Sequence, residues 1–330
     1  MTSTRTWRVL DILKWSEEYL TSKGVDNAKT VVEWLLCDVL SCSRIDLYLQ
    51  FDRPMTDEER ARFKPLLLKC AAKQPVQQVV GSCEFYGLKL TVSDKVLVPR
   101  PETERLVETA VDLAPELIKA KDEREKRSAL KNQKERTANS EKSGEGEEKE
   151  SVSPATDIRI LDIGSGSGCI AVALAMHIPQ SRLFAVESSA DAVKILQRNI
   201  RFYNLENRVS ILYEDIRRYR PERPFDMIVS NPPYISGEEM KNLDKNVSHY
   251  EPYMALSDSG DGLAYYRFFA EHFRDWLEDG GIALLEYGGN AQTAPLRKIF
   301  SSFEQKIVKD YQQDDRVMVL RKEEEEKFRV

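Results

Sequence analysis

Apolar residues recur at helical spacing through the first part of the chain. Leu10, Leu13 and Leu20 mark one amphipathic stretch, which Gly24 ends; Val31, Val32, Leu35, Leu36, Val39 and Leu40 mark the next. Thr56 and Glu59 form a Thr-x-x-Glu capping box ahead of a third apolar run. Pro65 falls inside that run and should kink or shorten its helix. The pattern predicts a small helical bundle over residues 1–75. From 76 to 98 it turns strand-like: VQQVV, then EFYGLKLTV with Gly87 at the turn, a β-hairpin connector.

After residue 157 strand-length apolar runs alternate with helical ones. IRILDIG, RLFAVE, RVSILYE, FDMIVS and GIALLEY are the strands, and residues 168–178, 190–203 and 262–278 are helical. EQKIVKDY and RVMVLRK add two strands so close together that they should pair antiparallel. Such alternation predicts a doubly wound α/β sheet with a mostly parallel core, here over residues 99–330. Sheets of this kind bind ligands at the carboxyl ends of their strands, near the switch point.

One segment fits neither pattern. Residues 121–150 hold nine basic and nine acidic side chains, and their apolar residues are Ala129, Leu130 and Ala138. Such a stretch buries too little surface to offset its ordering entropy, so a disordered charged insert is expected over 121–157. Its first half, KDEREKRSALKNQKER, is able to extend a preceding solvated helix; its second half, SGEGEEKESVSP, reads as flexible linker.

Composition narrows the function. The 330 residues are 32% charged with a net charge of −6, a poor balance for sequence-independent binding to phosphates. No apolar window is long enough for a membrane span, and the N-terminus lacks a signal-peptide core. Five cysteines without a CxxC pair indicate free thiols in a reducing, cytoplasmic setting. Three histidines and no HxxxH give a metal site little support.

The first strand runs into Gly164-Ser165-Gly166-Ser167-Gly168, preceded by Asp162. Glycines permit a tight turn and close backbone approach to a ligand, and helix N-terminal amides then face it. The dinucleotide fingerprint would need glycine at 169, where Cys169 stands. The acid followed by G-x-G-x-G resembles the Rossmann-like AdoMet-dependent methyltransferases instead. Two further strand ends agree. Glu187 can accept from both ribose hydroxyls, and Asp215 can accept from an adenine amino group. Asn231-Pro232-Pro233-Tyr234 closes the fourth strand. A planar nitrogen is a poor nucleophile because its lone pair is delocalised. The Asn231 carboxamide oxygen and the Pro232 carbonyl can each accept one of its N–H groups, turning the lone pair towards a methyl donor. Tyr234 can pack on the flat acceptor.

Six ordered segments make the resemblance specific: QPVQQVVGSCEFYGLKL (74–90), VPRPETE (98–104), ILDIGSGSGCIAVALA (160–175), VSNPPYI (229–235), YEPYMAL (250–256) and DGLAYYR (261–267). Outside 121–157 the chain resembles the HemK/PrmC family of protein-(glutamine-N5) methyltransferases. The resemblance implies a class I methyltransferase sheet, joined by a β-hairpin to an N-terminal domain that docks the substrate. That substrate would be the glutamine of the Gly-Gly-Gln motif in class 1 peptide chain release factors. It also implies a monomer with no direct nucleic-acid or membrane partner. S-adenosyl-L-methionine would lie against Gly164, Ser165, Gly166, Ser167, Gly168, Glu187, Asp215, Ile216 and Asn231. The substrate amide would meet Asn231 and Pro232, with Pro233 and Tyr234 shaping the pocket. Arg100 to Glu104 would lie over the cofactor side, although Pro101, Glu102 and Glu104 also suit plain helix initiation. The family often has Asp where Glu187 stands, an aromatic where Ile216 stands, and a shorter crossing before the first strand.

Two other readings compete. An adenine-N6 methyltransferase shares Asn-Pro-Pro-Tyr but needs a basic groove, and the first 75 residues hold 12 basic and 11 acidic side chains. A non-catalytic module that binds release factors would be expected to have lost the acceptor or cofactor motif, and both are complete.

Overall fold

The computed structural model describes residues 6–140, 157–242 and 249–322. Five helices form the N-terminal bundle: α1 (Val9–Ser22), α2 (Ala28–Leu40), α3 (Arg44–Leu49), α4 (Asp57–Ala71) and α5 (Val76–Val80). Leu13, Leu20, Val32, Leu35, Leu36, Phe63 and Leu67 fill its core. The capping box forms: the Glu59 amide donates to Thr56 Oγ1 (3.2 Å) and the Thr56 amide to Glu59 Oε2 (2.9 Å). Helix α4 runs through Pro65 to Ala71 and is not cut short there. Proline removes one helical hydrogen bond, while Phe63, Leu67 and Cys70, buried on either side of it, keep both turns on the core. VQQVV is helix α5 and not a strand. Its valines stand at 76, 79 and 80, a helical spacing that packs all three on the bundle.

The hairpin, β1 (Ser82–Phe85) and β2 (Leu88–Thr91), packs with the catalytic half: Cys83, Phe85 and Leu90 lie in that core. The main sheet holds β3 (Ile158–Ile163), β4 (Ser181–Glu187), β5 (Val209–Tyr213), β6 (Phe225–Ser230), β7 (Leu277–Glu286), β8 (Glu304–Lys309) and β9 (Asp315–Arg321). Their order is β5-β4-β3-β6-β7-β9-β8, parallel from β5 to β7 and antiparallel at the last two pairings. This is the Rossmann-like α/β sheet that the alternating pattern predicts. Every residue of β6 is buried, as a central parallel strand requires.

Helices α6 (Pro101–Ser140), α7 (Cys169–His177) and α8 (Ala190–Phe202) cover one face of the sheet, over Ile160, Ile282 and Leu284. Helices Ala264–Trp276 and Asn290–Ile299 cover the other, over Leu161, Ala283 and Leu285. The chain builds outward from β3 through β4 to β5, then returns to β6 on the opposite side. That switch point opens a crevice at the strand ends.

The expected disordered insert needs correction at its start. Helix α6 continues to Ser140, through the first half of the charged run. Lys121 Nζ and Arg124 Nη2 pair with the two carboxylate oxygens of Asp226 in β6, at 2.8 and 2.7 Å. Lys121 is 8% exposed and Asp226 1%. Composition reads a charge run as solvated, but two of these cations meet a buried carboxylate from a distant strand. The rest of the linker, 141–156, lies outside the described residues. Among the described residues no helix is long and apolar enough to cross a membrane.

Candidate active site

Strand register brings the predicted residues together. Ile163 pairs with Val186 on one side and with Ser230 on the other, so Gly164 emerges between Glu187 and Asn231. The Gly164 and Ser165 amides donate to the Val186 carbonyl at 2.9 and 3.1 Å, which folds the turn back on β4. Gly168 adopts φ +82°, and a Cβ there would stand 2.4 Å from Leu196 Cδ1. The last glycine therefore serves the close packing of α7 on α8.

Glu187 is 8% exposed and held at both oxygens. Oε2 accepts the Gly166 amide at 2.8 Å and Oε1 the Ser189 amide at 2.7 Å. Asp162 is fully buried beneath the loop, and neither carboxylate oxygen has a hydrogen-bond partner. Burial pushes its pKa up to about 7 against the opposing pull of nearby Ser165 and the Ala171 amide. Asp215 is paired with Arg217 at 2.5 Å and caps its amide at 3.0 Å, which holds its carboxyl below the usual range. Ile216 is buried with Leu161, Ile163 and Val186, the aliphatic packing its side chain allows. Asn199, 1% exposed, donates to the Ser167 carbonyl (2.8 Å) and pairs with the Thr91 backbone. It ties the glycine loop to the hairpin.

Beyond β6, a cavity of about 390 Å³ is lined by Asn231, Pro232 and Tyr234 together with Arg100, Glu102, Glu286 and Arg316. Pro233 and the glycine loop stand outside that lining. Asn231 Nδ2 donates to Thr103 Oγ1 at 3.1 Å. The Tyr234 carbonyl accepts Gln292 Nε2 at 2.9 Å. Gly262, at φ +77°, passes so close that a Cβ would stand 2.3 Å from that carbonyl oxygen. Any side chain there would displace the Asn-Pro-Pro-Tyr loop, which accounts for the glycine in DGLAYYR. Burial raises the Tyr234 hydroxyl well above its ordinary pKa, so it stays neutral. The Ile235 amide donates to the Leu256 carbonyl at 3.0 Å, stitching Asn-Pro-Pro-Tyr to the 250–256 segment.

Comparison with known proteins gives the same assignment for both halves. The PrmC N-terminal domain model matches residues 11–81, and the methyltransferase small domain model matches residues 150–249. The release factor glutamine methyltransferase of Geobacter sulfurreducens is 34% identical over 87% of each chain. That of Rhodopirellula baltica is 34% identical over 85% of this chain and 83% of its own. That of Chlorobaculum tepidum is 31% identical over 96% and 98%. The chain belongs to the release factor glutamine methyltransferase family. It is therefore an enzyme with S-adenosyl-L-methionine as its methyl donor.

In this methyltransferase the 98–104 segment starts a helix, one of the two roles its sequence allowed. Pro101 opens α6 with Glu102 and Glu104 in its first turn, the expected helix start. The side chains also reach outward, towards Asn231 and the 250–256 segment on one side and the hairpin on the other. Arg100 pairs with buried Glu251 at 2.6 Å, Thr103 meets Asn231, and Glu104 accepts the Tyr86 amide at 2.8 Å. Glu251 also accepts the Val98 amide at 3.4 Å, in line with an ordering part for Glu251-Pro252.

Glu286, Gln292 and Arg316 were not singled out from sequence, and Thr103 entered only as part of the Arg100 to Glu104 run. Glu286 carries a usable signal, since it closes a parallel strand as Glu187 does. Arg316 lies on an antiparallel strand added from the far end of the chain, where no local pattern marks it.

Proposed function

We propose that this enzyme methylates the side-chain amide nitrogen, N5, of the glutamine in the Gly-Gly-Gln motif of class 1 peptide chain release factors. The observation that carries this reading is the Asn231 carboxamide, anchored at Nδ2 and lining a cavity beside the Pro232 carbonyl. Those two oxygens match the two N–H groups of a primary amide. Accepting both would orient the nitrogen lone pair at the methyl donor and stabilise the positive charge that develops on it. Tyr234, neutral and flat, is suited to pack on the amide plane.

The residues present fit S-adenosyl-L-methionine. Gly164, Ser165, Gly166, Ser167, Gly168, Glu187, Asp215, Ile216 and Asn231 would hold it. Glu187 has each oxygen fixed by one backbone amide, with lone pairs left for a diol. Asp162 supplies an orphaned buried carboxylate under the same loop. When bound, the cofactor supplies a methyl group already activated by its sulfonium, so the attack itself needs no strong base. The proton leaves the amide afterwards to water.

The bundle is the element that would dock the release factor. Ile45, Tyr48 and Leu49 share one face of α3 and are 74%, 41% and 80% exposed. We read the enzyme as a monomer that needs no nucleic acid, and the five free thiols accord with a cytoplasmic setting. The deciding experiment is mass spectrometry of a release factor incubated with enzyme and S-adenosyl-L-methionine. One added methyl group on the Gly-Gly-Gln glutamine is expected. Methyl on another residue, or on adenine of a competing oligonucleotide, would overturn the reading.

A further inference from the structure

A carboxamide has two ends of nearly equal size, and only one of them serves here. If Asn231 turned its NH2 group to the cavity, it would offer donors to a substrate nitrogen that needs acceptors. Something must select the orientation. Thr103 is the immediate partner: it is 2% exposed and its Oγ1 lies 3.1 Å from Asn231 Nδ2. Thr103 stands in the first turn of α6, where no preceding helical turn offers its hydroxyl a carbonyl, and it receives a hydrogen bond from across 128 residues of chain.

A hydroxyl that accepts still has its own proton to place. Glu286 supplies the place. Ser230 pairs with Leu285, so the β6–β7 register sets Asn231 beside Glu286. Glu286 is 1% exposed, its Oε2 has no partner, and it lines the same cavity. Burial raises its pKa to about 7, and the nearby Thr103 hydroxyl and Asn231 side chain pull against that rise. Arg316 and Glu102 are the charged groups facing it. A Thr103 proton turned to that unpartnered Glu286 oxygen would leave the Thr103 lone pairs facing Asn231. Only the NH2 end of Asn231 is then compatible with Thr103, which leaves Oδ1 for the substrate.

We propose that Thr103 and Glu286 are positioning residues, a hydrogen-bond chain that locks Asn231 with its carboxamide oxygen towards the methyl acceptor. The proposal rests on the amide-methylation reading above. Thr103→Val keeps the shape and removes the chain. Its kcat on a release factor should fall about 10- to 100-fold, with KM and S-adenosyl-L-methionine affinity within about twofold of wild type. Thr103→Ser should restore most of the activity. Glu286→Leu should lose kcat similarly, and the double variant should be no worse than Thr103→Val, because the residues act as one unit. If Thr103→Val does not fold, Thr103→Ala decides in the same way. Wild-type kcat in the variant lacking the hydroxyl, failure of Thr103→Ser to rescue, or losses that multiply in the double variant would overturn the proposal. Absence of glutamine methylation by the wild-type enzyme would instead overturn the reading beneath it.

Discussion

Asn231 meets Thr103 through one end of its carboxamide and lines the acceptor cavity. Asn231→Ala should therefore lower kcat by about 10²- to 10³-fold, as removal of a transition-state hydrogen-bonding group does. Isothermal titration should show S-adenosyl-L-methionine binding weakened far less than kcat, because Asn231 is only one of the residues proposed to hold the cofactor; a loss of binding as large as that of kcat would show the side chain misassigned. Asp162 makes a different prediction. Unfolded, its carboxyl titrates near 3.8; burial in the native protein raises it to about 7. Between those values the native state holds more protons than the unfolded one, so this group's contribution to stability is lost as pH rises through the window. Asp162→Asn stays neutral throughout. Urea midpoints without cofactor at about pH 5 and about pH 8 should show the variant gaining on wild type at the higher pH. Parallel pH dependence in the two proteins would remove Asp162 from the account.

At the scale of elements, pairing register decides what meets. The β3 neighbours place the glycine loop between Glu187 and Asn231, and β7 brings Glu286 alongside. Helix α6 then seals one face, held by the Lys121–Asp226–Arg124 cluster. Removing the shared carboxylate would leave Lys121 buried and unpaired. Asp226→Ala should cost about 3 kcal/mol in denaturant unfolding. A loss no larger than that of an exposed ion pair would mean that apolar packing alone holds α6, through Leu106, Val107 and Ala110. The tethers from the bundle run to the same region. Gln78 donates to the Tyr250 carbonyl at 2.9 Å, and the Tyr250 hydroxyl donates to the Ala72 carbonyl at 2.8 Å. The next residue, Glu251, is the one that pairs with Arg100.

In the molecule as a whole, the helical bundle is tethered at Tyr250, next to the segment that borders the Asn231 cavity. If α3 presents the substrate, Ile45→Asp combined with Leu49→Asp should raise KM for an intact release factor about tenfold or more, with kcat on a short glutamine peptide unchanged. Equal effects on both substrates would place docking elsewhere. The glycine loop, Glu187 and Asn-Pro-Pro-Tyr were legible in one dimension because each is contiguous and sits where an apolar strand ends. The short helix Val76–Val80 reads as a strand in one dimension because its apolar residues are all valine, a strand-favouring type, and five residues between Pro75 and Gly81 span little more than one turn. The charged run reads as solvated because composition records no partners. The sequence by itself determined most of the strands and helices, the glycine turn and the Asn-Pro-Pro-Tyr loop, since backbone geometry and side-chain type act locally. Only the tertiary structure decided that Thr103, Asn231 and Glu286 converge, and that Lys121 and Arg124 reach Asp226. Those meetings depend on strand order, register and burial, which bring together residues more than a hundred positions apart for most pairs.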